Sequence, residues 1–356
     1  MWDFAVIGGG IAGLSAAAHL AELGSVVLLE AEPALGHHTS GRSAALYEPD
    51  YGAPATVAVT RASGPELARM GVLSPRGLLL VADATQAEVF AHDIALLHLS
   101  PLPLDQARAM VPILNRDVLA FAAHTDSAQD IDTDAVMQHY ARALKGAGGQ
   151  VRLRAPVTSL RRDADGWQIA AGPEALRARR IVNAAGAWAD QVARRAGIAP
   201  IGLTPLRRSI AVIPAPAGHD IRGWPMLMGA GESWYSKPQA GKLLVSPADE
   251  DPAEPHDAWP DDLVLAEGLA RYEAMVTEPV TRLDHSWAGL RSFAPDRALV
   301  LGPDPAEPTF LWCAGQGGQG FQSAPGAARV LLETAGGRPS GQPAAVIAAL
   351  SPARLR

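Results

Sequence analysis

The sequence has one cysteine, Cys313, among 356 residues. A single thiol cannot form an intrachain disulfide or a multi-thiolate metal site, so nothing indicates an oxidising compartment. The ten histidines, including His37, His38 and His285, show no HxxxH or Cys-His spacing typical of a metal site. We therefore predict that the protein binds no metal.

Long apolar runs and basic runs are also missing. No stretch of about 18 uncharged apolar residues occurs, so no membrane-spanning helix is predicted. The formal charge is -7, and no run of Lys or Arg could follow the phosphates of a nucleic acid. The N-terminal residues lack the basic and apolar regions of a secretory signal. We expect a cytoplasmic protein that binds no nucleic acid, with peripheral membrane contact left open.

Composition indicates a globular chain, with 48% apolar and 19% charged residues. A chain of this length exceeds one comfortable core, so two domains are expected, one interrupted by the other.

The beginning of the sequence has the pattern of a β-α-β unit. An apolar strand at 4–7 is followed by a glycine-rich turn at 8–13, an alanine-rich helix at 14–23 and a strand at 25–29.

The glycines of this turn predict a dinucleotide site. Gly8 permits the tight turn, Gly10 lets the backbone approach a pyrophosphate, and Gly13 lets the helix pack against the strand. The phosphates would lie at the helix N-terminus, where free N–H groups favour anions. Glu30 is spaced to accept hydrogen bonds from ribose hydroxyls.

A second glycine-rich turn at 315–320 helps to separate FAD from NAD. An NAD domain needs one phosphate-binding turn, whereas the longer FAD must be held at both ends. This turn and the segment 36–45 therefore favour FAD.

The remaining pattern alternates strands with a few helices. A helix is predicted after Asp132, and 52–125 has mixed structure. From 200 to 291 helices are largely absent, which indicates a β-rich lobe. Further predicted strands are 78–81, 151–153, 155–160, 167–171, 180–183 and 310–314, and further helices are 84–97, 132–144 and 324–335.

Five ordered motifs carry a family resemblance: VIGGGIAGLSAA, LLEAEPALGHHTSGRSAALY, IVNAAGAWAD, SWAGLRSFAPD and CAGQGGQGFQSAP. Across essentially the whole chain they resemble the D-amino acid oxidase superfamily, and most closely bacterial D-arginine dehydrogenase. The resemblance implies an α/β fold, with a Rossmann-like FAD-binding domain of the glutathione-reductase type and an inserted β-rich substrate domain. We assign 1–75, 126–200 and 300–356 to the first domain, and 76–125 and 201–299 to the second.

The resemblance also implies a set of FAD contacts. For Trp188 and Val157, the alternative to an FAD contact is that each is an ordinary core residue. Cys313 lies inside a predicted strand, which favours an inert thiol and non-covalent FAD. The predicted cofactor residues are Gly8, Gly10, Ala12, Gly13, Glu30, Ser40, Gly41, Arg42, Ser43, Ala44, Leu46, Val157, Ala185, Gly186, Trp188, Gly317, Gly318, Gly320, Phe321 and Gln322.

The catalytic candidates would hold an amino acid in front of the flavin. A guanidinium grips a carboxylate in a planar two-point contact, and Arg291 matches the family's carboxylate clamp. By the same resemblance Tyr235 and Tyr51 face the substrate, and Gly318 accepts a hydrogen bond from its amine. Arg208 matches an active-site arginine, with a solvated surface ion pair as the alternative.

Two positions depart from the D-arginine dehydrogenase pattern. Leu78 stands where that enzyme has an acid for the distal guanidinium, and Leu46 stands where it has a histidine. A cationic side chain buried here without a counter-charge would cost several kcal/mol. These specificity positions predict neutral, apolar D-amino acids as substrates and poor activity on D-arginine.

The leading prediction is hydride transfer from Cα to flavin N5, giving an imino acid that hydrolyses to a 2-oxo acid and ammonia. The alternatives are oxidation of a secondary amine of the sarcosine, glycine or proline type, or of a 2-hydroxy acid. A third is a flavin-binding subunit of an oxidoreductase complex that uses the Pro-rich stretch 248–260 as a contact surface, although that composition favours a solvated loop. Oxygen, a quinone or another carrier could accept the electrons.

Overall fold

The computed structural model describes residues 1–356, which form nineteen strands and nine α-helices. In chain order the strands are β1 (Trp2–Ile7), β2 (Val26–Leu29), β3 (Leu46–Tyr47), β4 (Leu73–Pro75), β5 (Leu78–Ala82), β6 (Ser100–Pro101), β7 (Phe121–Thr125), β8 (Gln129–Ile131), β9 (Gln150–Arg152), β10 (Val157–Asp163), β11 (Gly166–Ala171), β12 (Glu174–Asn183), β13 (Thr204–Pro214), β14 (Met226–Gly229), β15 (Tyr235–Gln239), β16 (Lys242–Ser246), β17 (His285–Phe293), β18 (Val300–Pro303) and β19 (Phe310–Ala314). The helices are α1 (Ile11–Leu20), α2 (Pro54–Met70), α3 (Ala87–Leu97), α4 (Leu104–Met110), α5 (Thr133–Gly146), α6 (Ala189–Arg195), α7 (Asp262–Met275), α8 (Gly320–Thr334) and α9 (Ala344–Leu350).

The first sheet contains the predicted β-α-β unit. Strand β1 lies between β2 and β12 and is parallel to both, and β9 and β19 extend this parallel core. The antiparallel strands β10, β11 and β18 complete an eight-stranded sheet. One face buries a core with α1, α2, α5 and α8, which includes Leu14, Tyr140 and Leu331. This arrangement is the α/β fold that the sequence predicts.

The second sheet has the order β17-β13-β16-β15-β14-β5-β7-β6. Its pairs are antiparallel except for β14 with β5. A small third sheet has the order β3-β8-β4. Its first strand directly follows the segment 36–45, which was predicted to contact FAD. The domain boundaries assigned from the sequence stay a prediction.

Five helices lie outside the predicted ones, namely α2, α4, α6, α7 and α9. Helix α7 begins after Asp261, whose carboxylate accepts hydrogen bonds from the N–H groups of Leu263 at 3.0 Å and Val264 at 3.1 Å. Helix α2 begins at Pro54 and contains Pro65, which obscured its apolar pattern. The stretch from 200 to 291 contains β13 to β17 as expected, so the expectation that helices are largely absent from it was wrong only at α7.

Local signals gave more accurate boundaries elsewhere. Asp132 caps α5 by accepting from the N–H of Ala135 at 2.9 Å, and β19 has its predicted bounds. Helix α1 begins three residues earlier than predicted, directly at the glycine-rich turn. None of the nine helices combines the length and apolar character needed to cross a membrane.

Candidate active site

One large cavity is lined by residues from the start of α1, the segment 36–45, the second sheet and the C-terminal glycine turn at 315–320. Most of the residues predicted for the site line it. The predicted residues in its lining are Gly10, Ala12, Ser40, Arg42, Ser43, Ala44, Leu46, Tyr51, Leu78, Gly186, Arg208, Tyr235, Arg291, Gly317, Gly318, Gly320, Phe321 and Gln322. Those outside the lining are Gly8, Gly13, Glu30, Gly41, Val157, Ala185 and Trp188.

The first glycine turn places the N-terminus of α1 at this cavity. Gly8 has a φ of +110°, and a β-carbon there would overlap the carbonyl of Ala184. A β-carbon on Gly13 would overlap the carbonyl of Gly8, so this glycine permits close packing of helix and strand. The first helical N–H, of Ile11, donates to Oγ of Ser40 at 3.0 Å. The turn thus forms an open cradle suited to a pyrophosphate.

Glu30 is held rigidly at the end of β2. Its carboxylate accepts hydrogen bonds from the N–H of Gly9 at 2.6 Å and from the N–H of Glu32 at 2.9 Å. Carboxylate oxygens have further lone pairs, so Glu30 keeps the capacity to accept from ribose hydroxyls. The residues around the turn therefore fit an adenine dinucleotide.

Some predicted cofactor residues have other contacts. The guanidinium of Arg42 donates to the carbonyls of Ala258 at 3.0 Å and Ala288 at 2.9 Å and pairs with Asp257. Trp188 packs against His38, with 4.6 Å between ring centroids. Val157 is buried in the core of the first sheet, and Arg195 donates to its carbonyl. Their cofactor contacts stay a prediction.

Two buried arginines and two glutamates form a charged cluster at the other end of the cavity. Arg208 contacts Glu232 at 2.8 Å and Glu250 at 3.2 Å, and Arg291 lies 3.7 Å and 3.5 Å from the same carboxylates. The hydroxyl of Tyr51 donates to Glu232 at 2.9 Å and accepts from Nη2 of Arg291 at 3.2 Å. Arg208 is therefore a buried site residue, and the surface-ion-pair alternative is wrong.

The charged cluster has one more positive than negative charge when Arg297 is counted with it. Burial opposes ionisation of Glu232, but Arg208 and Arg291 outweigh it and hold the pKa of that carboxyl below its ordinary value. Arg297 also contacts Glu250, at 2.9 Å. Three guanidinium groups thus face two carboxylates, and one cation is in excess.

Glu232 and Glu250 are the charged residues of the cluster that the sequence reasoning missed. Arginines predicted in an apolar setting need counter-charges, and that requirement was the available signal. Glu250 belongs to the stretch 248–260. This stretch is anchored by Asp249, which accepts hydrogen bonds from the N–H of Ser209 at 2.6 Å and from its hydroxyl at 2.8 Å. The favoured expectation of a plain solvated loop was therefore wrong for its first residues.

Apolar side chains also line the cavity, and we call them the apolar wall. The two predicted specificity residues, Leu46 and Leu78, belong to it, and Leu78 is only 2% exposed. Ile210, Met226 and Met228 extend the wall from the second sheet and were not predicted. Position 78 itself offers no acid, and the carboxylates in the cavity lining are those of Glu48 and Glu232.

Cys313 lies in β19 and is buried in the core. Burial raises the pKa of its thiol to about 12, so the reactive thiolate is disfavoured. This environment supports the prediction that FAD is bound without a covalent bond to cysteine.

Comparisons with known proteins agree with this geometry. The family model described as DAO, FAD dependent oxidoreductase, matches residues 3–334. Mitochondrial dimethylglycine dehydrogenase of Homo sapiens is 27% identical over 159 residues, which cover 44% of this chain but only 18% of that protein. The chain thus spans less than a fifth of the length of this curated relative.

Solved structures resemble almost the whole chain. Glycine oxidase from Geobacillus kaustophilus has a TM-score of 0.82 and 20% identity, with 98% of each chain covered. L-proline dehydrogenase from P. horikoshii has a TM-score of 0.82 and 19% identity, with 99% of this chain and 97% of that chain covered. At these identities the structures establish the fold. Together the matches confirm the predicted α/β fold and FAD as cofactor, and the chain belongs to the DAO family of FAD dependent oxidoreductases.

Proposed function

We propose that the protein oxidises a small, neutral D-amino acid with an apolar side chain. FAD supplies the acceptor for the hydride that leaves Cα. The donor becomes an imino acid, which water hydrolyses to a 2-oxo acid and ammonia. In this proposal the electrons then pass to oxygen, a quinone or another carrier.

The observation that carries the proposal is the position of Arg291. Its guanidinium is 8% exposed, lines the cavity and packs against Gly318 of the C-terminal glycine turn. Its Nε–H has no hydrogen-bond partner. A buried guanidinium with unused hydrogen-bonding capacity, in a cluster with one excess positive charge, is suited to a single carboxylate.

The other polar residues would orient the donor. Arg208 shares Glu232 with Arg291, so the two guanidinium groups are held side by side. Burial raises the pKa of Tyr51, which keeps its phenol neutral and able to donate a hydrogen bond. Tyr235 is buried in the cavity wall, and the carbonyl of Gly318 would accept from the donor's neutral amine.

The apolar wall supports a neutral side chain on the donor. Leu46, Leu78 and Met228 would contact an aliphatic or aromatic group, and none of these three side chains offers a counter-charge to a guanidinium or ammonium. We therefore propose that D-arginine is a poor substrate.

A second candidate is oxidation of a secondary amine. The names of the similar proteins, dimethylglycine dehydrogenase, glycine oxidase and L-proline dehydrogenase, favour this reading. Arg291 would hold the carboxylate of such donors equally well. The size of the apolar wall favours the D-amino acid, because glycine derivatives would leave it without contact.

The experiment is anaerobic reduction of the bound flavin by matched donors. The panel contains D-leucine, L-leucine, sarcosine, D-proline, L-proline and the 2-hydroxy acid that corresponds to leucine. We expect D-leucine to bleach the flavin absorbance fastest, with formation of the 2-oxo acid and ammonia. Faster bleaching by sarcosine or a proline would establish the second candidate instead. No bleaching by any donor would contradict both and favour a flavin-binding subunit.

A further inference from the structure

Glu48 is a buried carboxyl that the proposed reaction does not use. It follows β3 directly and is 5% exposed. One carboxylate oxygen accepts a long hydrogen bond, 3.3 Å, from the N–H of Asp50, and the other has no partner. No ion pair with Lys or Arg compensates this carboxyl, and such groups are rarely buried without one.

The position of Glu48 connects it with the flavin-binding turn. Glu48 lines the cavity, and its N–H donates to Oε1 of Gln322 at 2.8 Å. The carbonyl of Tyr51 accepts from Nε2 of Gln319 at 2.7 Å. The segment 48–51 is thus fixed against the beginning of α8, where Gln322 is an expected flavin contact.

The charges around Glu48 disfavour its ionised form. On its own segment Asp50 is ion-paired with Arg61 of α2, and Tyr47 and Tyr51 are neutral phenols. Helix α8 presents only the neutral amides of Gln319 and Gln322. Burial raises the pKa of Glu48 to about 7, although the hydrogen bond from the N–H of Asp50 acts against it and the charge of Asp50 adds only a smaller increase.

We propose that Glu48 takes up one proton from solvent when the flavin is reduced. Hydride transfer gives the flavin two electrons and one proton, and so adds one negative charge to its ring system. That charge repels an ionised carboxylate in the same cavity wall, so the carboxylate binds a proton and becomes neutral. The donor loses the hydride, the solvent supplies the second proton, and Glu48 is neither oxidised nor reduced.

The pH window follows from these charges. Below about pH 7 Glu48 is already protonated in the oxidised protein and takes up nothing. Above that pH, and below the higher pKa that it has beside the reduced flavin, Glu48 is ionised in the oxidised protein and becomes protonated on reduction. One additional proton for two electrons steepens the fall of the midpoint potential by about 30 mV per pH unit. This inference rests on FAD and does not depend on which donor is oxidised.

The test is the midpoint potential of the FAD-loaded protein, measured against reference dyes across neutral and alkaline pH. We expect the wild-type slope above about pH 7 to exceed that of Glu48→Gln by about 30 mV per pH unit. Glu88→Gln removes an exposed carboxyl from α3 and should leave the slope unchanged. Equal slopes in wild type and Glu48→Gln would overturn the proposal, whatever donor reduces the flavin.

A second measurement needs no variant. The infrared difference spectrum between reduced and oxidised wild-type protein, recorded at about pH 8, should show a new band of a protonated carboxyl group. The absence of that band would also overturn the proposal, including the case in which Glu48→Gln fails to bind FAD.

Discussion

Gly318 and Arg291 pack so closely that a β-carbon at position 318 would overlap the Nη2 and Nε atoms of the guanidinium. Gly318 belongs to the glycine turn before α8, and Arg291 belongs to β17 of the second sheet. The N–H of Gly317 donates to the carbonyl of Ser292 at 2.9 Å, which joins the two elements beside this contact. This contact places the proposed carboxylate clamp directly beside a turn expected to contact FAD.

Gly318→Ala should therefore displace the Arg291 guanidinium. We expect kcat/KM for the preferred donor to fall by about 100-fold or more, because misplacing a positioning group by about 1 Å has effects of that size. Rates are referred to the FAD-loaded fraction, because Gly318 is also an expected FAD contact. Gly223→Ala is the matched control, since a β-carbon there has no neighbour within 4 Å. Unchanged kinetics in Gly318→Ala would contradict the assigned role of Arg291.

Arg291→Lys should show whether the planar shape of the guanidinium, and not only its positive charge, is needed to hold the substrate carboxylate. Lysine keeps the positive charge but lacks the planar fork that matches a carboxylate. We predict a loss of about 100-fold to 1000-fold in kcat/KM, corresponding to about 3–4 kcal/mol, with flavin retained. Steady-state kinetics with absorbance of the bound flavin check both parts. A variant with wild-type kcat/KM would exclude a two-point contact.

The features that could be predicted from the sequence depend mostly on residues close together in the chain. The spacing of Gly8, Gly13 and Glu30 predicted the cofactor cradle, because a turn, a helix start and a strand end lie within one short unit. Glu232 and Glu250 lie 24 and 42 residues beyond Arg208 and contact it only through the fold. No spacing rule connects them, so the counter-charges of the site could not be assigned before the structure.

Helix α7 illustrates a second limit. Gly268 lies inside it and packs against Pro247, where a β-carbon would overlap the proline ring. The glycine and the preceding Pro-rich stretch indicated irregular structure, whereas tertiary packing and the Asp261 cap stabilise a helix. By contrast the apolar wall was partly predictable, since Leu46 lies in a recognisable motif and Leu78 was aligned through the family resemblance.

Glu232→Gln should change how the stability of the folded protein depends on pH, because it removes the ion pairs of Glu232 with the two arginines. The pKa of Glu232 is held below its ordinary value of 4.5, so its ionised form stabilises the folded protein at neutral pH. That stabilisation is complete above the ordinary pKa and is lost as pH falls through the lowered one. We expect Glu232→Gln to be less stable by about 1–3 kcal/mol at neutral pH, with the difference shrinking in acid.

Thermal unfolding of both FAD-loaded proteins as a function of pH measures this difference. The control is again Glu88→Gln, which should track the wild type at every pH. A stability gap between wild type and Glu232→Gln that is the same in acid and at neutral pH would refute the ion-pair account.

Leu78→Glu should extend the substrate range. The new carboxylate would supply the counter-charge that the apolar wall lacks, so activity on D-arginine should rise relative to D-leucine. Leu78→Gln introduces a similar shape without charge and should give no such gain. If the FAD-loaded Leu78→Glu variant shows no activity on cationic donors, Leu78 is not the specificity position that we assign.

The most direct measurement of the central claim is a crystal structure of the FAD-loaded protein with a bound amino acid or carboxylate inhibitor. We predict the ligand carboxylate within hydrogen-bond distance of Arg291, with the α-carbon facing the flavin ring and the side chain against Leu78. A carboxylate bound elsewhere, or a flavin ring outside this cavity, would contradict the account.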